Sequence, residues 1–216
     1  CLSRGLGDVY KRQVEYGIVR DEEKLIGSML DRALNECHMV LMSGGSSVGE
    51  KDAACRIMAA RGEILFHGIA MKPGKPTILC KSGKKPVIGL PGHPGAAFLV
   101  SQLLLPQLLC SIGGRKVRRY PVQARLAEPV SANHGRAQYT AVKLMDNGEN
   151  VVAVPARGQS GLITNLAYSD GFFCIPQEKR FRYIFTIIDG RKAEWLFSIL
   201  QTYLLSGQRG IMRTYL

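Results

Sequence analysis

Three times along this chain a short apolar run breaks off into a loop built from glycine or proline, and that recurrence limits the fold more than any other feature. His38–Met42 leads into Ser43-Gly44-Gly45-Ser46-Ser47-Val48-Gly49. A run over 63–70 leads into Ala70-Met71-Lys72-Pro73-Gly74-Lys75-Pro76. A run over 86–90 leads into Pro91-Gly92-His93-Pro94. Short continuous apolar runs suit strands covered on both faces. Helical patterns fall between them. Asp21 can cap a helix running to Cys37, with Glu22 and Glu23 in the first turn and a stripe of Leu25, Ile26, Met29, Leu30, Ala33 and Leu34. A second helix is expected over 52–61, closed by Gly62, and a third over 94–111. With a further strand over 14–19, the alternation predicts an α/β fold with a mainly parallel sheet and flanking helices. In such a sheet the loops at the carboxyl ends of strands form the ligand crevice.

The texture changes after Gly113-Gly114. Strands are expected over 120–126, 138–145 and 151–155, with Asp146-Asn147-Gly148 as a hairpin turn. We therefore read 14–118 as the α/β domain, 119–183 as a small β-rich domain and 184–216 as an unassigned tail. Residues 1–13 have no helical or strand period and read as non-native or disordered sequence.

The formal charge is +12, and its excess of Lys and Arg is spread along the chain. A nucleic-acid face concentrates its cations, so the pattern argues for an anionic small molecule instead. The six cysteines are far apart and show no zinc spacing. Scattered thiols suit a reducing, cytoplasmic setting. The apolar stretch 96–112 is interrupted by Gln102, Pro106 and Gln107, and reads as a core helix rather than a membrane span.

The three loops carry the chemistry. Glycines at 44, 45 and 49 let backbone N–H groups turn toward an anion, and Ser43, Ser46 and Ser47 add hydroxyls. Asp52 follows them. A carboxylate beside an anion site suggests an intervening Mg²⁺, but the same residue could simply cap the next helix. Lys72 and Lys75 are held by two prolines and a glycine, an arrangement that makes sense if an anion bridges two cations. The alternative is a solvated turn. Lys81, Lys84 and Lys85 flank Gly83 and read as solvated. Pro91, Gly92 and Pro94 frame a strand-to-helix turn whose helix start is again an anion site. His93 could act in acid–base work, although a lone loop histidine is more often a spacer. Arg136 and Ser160 lie in the β-rich part; either could reach a ligand from a neighbouring subunit, and taken alone both are ordinary loop residues.

In order and spacing, these loops resemble the molybdopterin molybdotransferase family (bacterial MoeA and the E domain of gephyrin). The family pattern is Ser-Gly-Gly-x-Ser-x-Gly with a following Asp, then Lys-Pro-Gly-Lys-Pro, then Leu-Pro-Gly-Asn-Pro. Here these fall at Ser43–Asp52, Lys72–Pro76 and Leu90–Pro94, and Tyr16–Asp21 is similar to the family's lead-in strand. The resemblance spans residues 14–176. It implies a molybdopterin-binding α/β domain followed by a small β-barrel. It also implies insertion of molybdate into adenylylated molybdopterin with release of AMP, Mg²⁺ dependence and a homodimer. Molybdopterin adenylyltransferase is an implied partner. On this basis Asp52 is a catalytic or metal-linked aspartate, Lys72 a molybdate- or phosphate-site lysine, and Arg136 and Ser160 are barrel residues near the site. His93 stands where the family has Asn. The family's preceding strand and its acidic motif have no counterpart here. The sheet is therefore expected to leave an edge or face uncovered, and the 216-residue chain to self-associate and to release no AMP. Two other readings are an enzyme like the molybdopterin adenylyltransferase and a non-catalytic scaffold of the same fold. The Lys-Pro-Gly-Lys-Pro loop and the β-barrel tail argue against the first, and retention of Asp52, Lys72 and Lys75 argues against the second.

Overall fold

The structure is a computed structural model that describes residues 12–44, 53–114, 123–130, 135–146, 148, 150–156, 166, 168–177, 185–186 and 211–215. The chain begins with β1 (Gln13–Ile18), α1 (Glu23–Glu36) and β2 (Met39–Ser43), a strand–helix–strand unit. α1 starts after Glu22, which sits in extended backbone and makes no side-chain cap bond, so Asp21 is not the cap. Leu30 and Ala33 of the predicted stripe are buried. Tyr16 ties β1 to α1: its hydroxyl donates to Glu36 Oε2 at 2.6 Å while the Arg32 guanidinium lies over its ring.

Next come α2 (Ala53–Ala59), β3 (Glu63–His67) and β4 (Met71–Lys72), then β5 (Ile78–Ser82), β6 (Lys85–Leu90) and α3 (Pro94–Ile112). β5 and β6 form a hairpin around Gly83-Lys84, and Gly83 takes φ +59°. Of the three lysines expected to be solvated around this turn, Lys85 instead donates from Nζ to the Leu34 carbonyl near the end of α1. Gly62 does not close a helix in left-handed backbone. Its place is set by packing, since a Cβ there would lie 2.4 Å from the Lys81 carbonyl oxygen.

The second sheet uses β7 (Arg125–Leu126), β8 (Ala137–Asp146), β9 (Val151–Pro155), β10 (Gly171–Ile175) and β11 (Phe185–Thr186). Of the strand expected over 120–126, only Arg125–Leu126 is a described strand. β8 and β9 pair antiparallel across the expected hairpin, where Gly148 takes φ +84° and its N–H donates to Asp146 Oδ1. The sheet runs β11-β10-β8-β9-β7, and among the described strands no pair closes it into a barrel. The last strand, β12 (Ile211–Tyr215), belongs to the first sheet.

That first sheet has the order β1-β12-β2-β6-β5-β3 and is mixed. Only β2 and β6 are hydrogen-bonded in parallel; the other four pairings are antiparallel. The expectation of a mainly parallel sheet is corrected here. A parallel pair needs a crossover of a dozen or more residues, and the two-residue turn between β5 and β6 permits only an antiparallel one. The α/β class with a small second domain stands. So does burial of β2, although one of its neighbours, β12, is antiparallel to it. The expected uncovered strand edge is likewise absent beside β2, because β12 lies there.

Alternation along β2 builds two cores. Val40 and Met42 pack with Leu30, Ile57, Met58 and Val87 on the face covered by α1 and α2. Met39 and Leu41 pack with Ile88, Leu99 and Val100 on the α3 face, and Phe172 of β10 joins them. α3 is long and apolar enough to cross a membrane by length and composition. Its Ala96, Ala97, Leu99, Val100 and Leu105 are instead buried, as expected of a core helix. Cys37, Cys55, Cys80, Cys110 and Cys174 are unbridged. Burial pushes the Cys80 and Cys174 thiols above their ordinary range.

Candidate functional site

The parallel pairing of β2 with β6 sets Ser43 opposite Leu90, so Gly44 and Pro91 leave the sheet side by side. β5 runs the other way, with Ile78 opposite Gly89, so the segment entering it from Lys75 arrives at this same end. The starts or ends of all three predicted loops therefore meet at the carboxyl ends of β2 and β6. This is where an α/β sheet places a ligand.

Each loop is shaped differently. Ser43 is the half-buried last residue of β2, and Gly44 takes φ +93°, a conformation that suits glycine. Gly45, Ser46, Ser47, Gly49 and Asp52 lie outside the described residues, as does Ser160. Leu90 is followed by a buried Pro91 and an exposed Gly92. A Cβ at Gly92 would meet nothing within 4 Å, so the described packing does not itself require glycine there. His93 is the N-cap of α3. Its carbonyl accepts from the Ala97 N–H at 2.9 Å, its side chain makes no cap bond, and Pro94 takes the first helical position as expected.

The Lys-Pro-Gly-Lys-Pro loop is the most constrained of the three. The Lys72–Pro73 peptide bond is cis and Gly74 has φ +119°. A Cβ on Gly74 would lie 2.8 Å from Val100 Cγ2 and 3.2 Å from Met71 Sδ, so the loop backbone sits directly on α3. Thr77 is fully buried and donates from its hydroxyl to the Gly74 carbonyl at 2.6 Å. The Ile69 N–H donates to the Lys75 carbonyl, and the Gly68 N–H to that of Thr77. Pinned this way, the loop leaves both Lys72 and Lys75 exposed. Two cations are thus displayed from a backbone that spends little entropy on holding them.

The second sheet reaches this loop. β4 pairs in parallel with β8, placing Met71 opposite Ala137 and Lys72 opposite Gln138, and the Ala137 N–H donates to the Ala70 carbonyl at 2.9 Å. Arg136, which is exposed, therefore stands beside the Lys72 segment of its own chain. Phe172 packs against Phe98 of α3 with ring centroids 6.2 Å apart, fixing the same junction from below. Thr77, Val100 and the β4–β8 pair were not expected from sequence. The Thr that follows Lys-Pro-Gly-Lys-Pro was the one available signal, a hydroxyl able to close a tight loop. Among the described residues no three His, Cys, Asp or Glu side chains group as metal ligands.

Two family models match the chain in succession: a probable molybdopterin binding domain over residues 9–109 and the MoeA C-terminal region (domain IV) over 123–183. The chain belongs to the MoeA family. A molybdopterin biosynthesis protein of Methanocaldococcus jannaschii is 29% identical over 163 residues, covering 75% of this chain and 38% of that protein. The molybdopterin molybdenumtransferase of a Nostoc species is 26% identical over 174 residues, covering 77% and 40%. Among solved structures, a MoeA protein of Pyrococcus horikoshii superposes with a TM-score of 0.62 at 29% identity, covering 91% of this chain and 41% of the other. A molybdenum cofactor biosynthesis protein of Pyrococcus furiosus gives 0.61 at 26% identity, covering 81% and 55%. This MoeA-family chain thus spans about two-fifths of the curated relatives it matches. Its second match, over 123–183, is what a lone adenylyltransferase-like domain would not account for.

Proposed function

We propose that this chain carries the anion-binding part of a molybdopterin molybdotransferase, a cytoplasmic enzyme that inserts molybdate into adenylylated molybdopterin and releases AMP. The observation that carries the reading is the meeting of three Gly/Pro loops at one end of the sheet, with Lys72 and Lys75 displayed from a pinned backbone. In this reading Lys72 holds molybdate or the transferred phosphate. Lys75 and Arg136 add positive charge, and Ser43, Gly44, Gly45, Ser46, Ser47 and Gly49 offer hydroxyl and N–H donors to the pyrophosphate bridge. Pro91, Gly92 and Pro94 bring the start of α3 to the same anion, and Ser160 completes the set from the second domain. We divide the chain at 118/119 between these domains and assign dimerisation and handover from molybdopterin adenylyltransferase to the same activity.

Mg²⁺ would supply charge screening on the leaving phosphate. The described residues do not by themselves form a Mg²⁺ site. Asp52 is the one ligand we assign to it, and no step is routed through the metal.

Lys72→Ala tests the reading. A charge-assisted contact is worth roughly 1.5–3 kcal/mol, so affinity for molybdate or a pterin phosphate should fall about ten- to a hundredfold by calorimetric titration. Unchanged affinity in a folded variant would reject it.

A further inference from the structure

The loop over 73–77 is where the chain passes from one sheet to the other. Lys72 ends β4, which pairs with β8 of the second sheet, whereas Ile78 begins β5 of the first. Lys72 is therefore anchored in the second sheet, opposite Gln138, and Lys75 stands at the entrance to the first. The Lys75 carbonyl accepts from the Ile69 and Thr77 N–H groups, each at 2.9 Å. Both lysine side chains are exposed. One anion can engage the two together without an ordering penalty only if the short backbone between them keeps their spacing.

Backbone bonds alone do not close this loop. A four-residue turn ordinarily closes when the N–H of its last residue donates to the carbonyl of its first. Over 74–77 the Thr77 N–H goes to the Lys75 carbonyl instead, and Pro73 and Pro76 have no N–H to offer. The Thr77 side chain supplies the closure: its Oγ1 donates to the Gly74 carbonyl at 2.6 Å. Among the described residues that hydroxyl is the only donor to the Gly74 carbonyl. Gly74 and Thr77 are both buried, so water is a poor replacement. Thr77 is itself fixed, because its carbonyl accepts from the Gly68 N–H at 2.8 Å. Gly74 separates Lys75 from the Lys72-Pro73 unit, so holding its carbonyl sets one lysine relative to the other.

We propose that Thr77 is a positioning residue of the candidate anion site: its buried hydroxyl fixes the spacing of Lys72 and Lys75 so that both engage one divalent tetrahedral oxyanion, of which molybdate is an example. The lysines supply the charge, and Thr77 supplies the geometry without touching the anion. The inference rests on the reading of Lys72 as an anion-site lysine. Removing the hydroxyl leaves both charges in place, but the Gly74 carbonyl loses its partner and the loop shifts to find another, so the lysines stop acting as a pair. A hydroxyl that served the fold alone would lower stability yet leave the affinity of the folded chain, and its dependence on Lys72, unchanged.

Calorimetric titration of the full chain with sodium molybdate tests it, with Lys72→Ala, Thr77→Val and the double variant forming a cycle. Val keeps the branched shape of Thr and lacks the hydroxyl. Thr77→Val should weaken binding about tenfold. Lys72→Ala, expected to cost about ten- to a hundredfold in the wild-type background, should cost less than about threefold in the Thr77→Val background. Thr77→Ser and Thr77→Ala form a second pair that differs in the hydroxyl alone; the Ser variant should stay within about threefold of wild type and the Ala variant should not. An equal cost of Lys72→Ala in both backgrounds, or wild-type affinity in folded Thr77→Val or Thr77→Ala, overturns the positioning role and leaves the anion-site reading in place. No molybdate binding by the wild-type chain, or no effect of Lys72→Ala on it, rejects that reading and the inference with it. Loss of folding in both Thr77→Val and Thr77→Ala while Thr77→Ser folds makes the hydroxyl structural, which also overturns the inference.

Discussion

At the scale of single residues, the loop over 72–77 shows how much a short motif must borrow from its surroundings. Gly74 combines positive φ with contact against Val100 and Met71, so Gly74→Ala meets both a backbone penalty of about 1–2 kcal/mol and a clash. We expect a loss of about 2–4 kcal/mol in urea unfolding. Adding Val100→Ala should recover the clash but not the backbone part; full recovery would mean that φ was not limiting. Asp52 poses a different question, because the residue directly precedes Ala53, where α2 begins. If it binds Mg²⁺, Asp52→Asn in a full-length enzyme should abolish metal-dependent AMP release and leave stability nearly unchanged. Asn caps helices about as well as Asp, so retained activity would favour the cap. His93, which stands where the family has Asn, serves α3 through its backbone carbonyl, a task indifferent to the side chain.

Among the elements, α1 is tied to α2 by the Arg56–Glu23 ion pair and to the segment after α2 by the Arg61–Asp31 pair. Arg61 bonds Asp31 through Nε at 2.6 Å and Nη2 at 2.8 Å, and a third donor reaches the Ile57 carbonyl. It also fills the space over Gly27, where a Cβ would lie 2.6 Å from Arg61 Nη2. The guanidinium's hydrogen bonds hold the Asp31 carboxyl below its ordinary range. A depressed carboxylate adds stability that is present above the unfolded-state pKa and lost as pH falls through the folded one. Asp31 is 55% exposed, so solvent screening limits the effect to about 1 kcal/mol or less. Urea midpoints of wild type and Asp31→Asn should therefore differ near neutral pH and converge below the ordinary carboxylate range. A constant gap across that range would mean that the charge is not what the pair contributes. β2 illustrates the complementary point. Its apolar run showed that both faces are covered, but an apolar run does not specify the direction of a neighbour.

For the molecule as a whole, the two sheets share a core rather than merely abutting. Phe172 of β10 is buried among α3, β2 and β6 residues, while Phe173 and Ile175 turn to the second sheet's own core of Val142 and Ala153. Phe172→Ala should cost about 3–5 kcal/mol and broaden or split thermal unfolding, because it opens a cavity at the junction. An unchanged single transition would show that the β4–β8 pairing alone joins the sheets.

Much of the candidate site was legible because its information is local. Glycine and proline encode backbone shape within a few residues, so the three loops, the helix start at Pro94 and the core helix behind it could be read directly from the chain. Amphipathic spacing likewise marked Leu30 and Ala33 as core. Strand order was not legible. The antiparallel β5 that brings Lys75 to the β2–β6 end, the β4–β8 pair that sets Arg136 beside Lys72, and the insertion of β12 between β1 and β2 all join segments distant in sequence. The hydrogen bonds that select such partners come from backbone groups common to every residue, so which strands meet is decided only when the whole sheet competes for its neighbours.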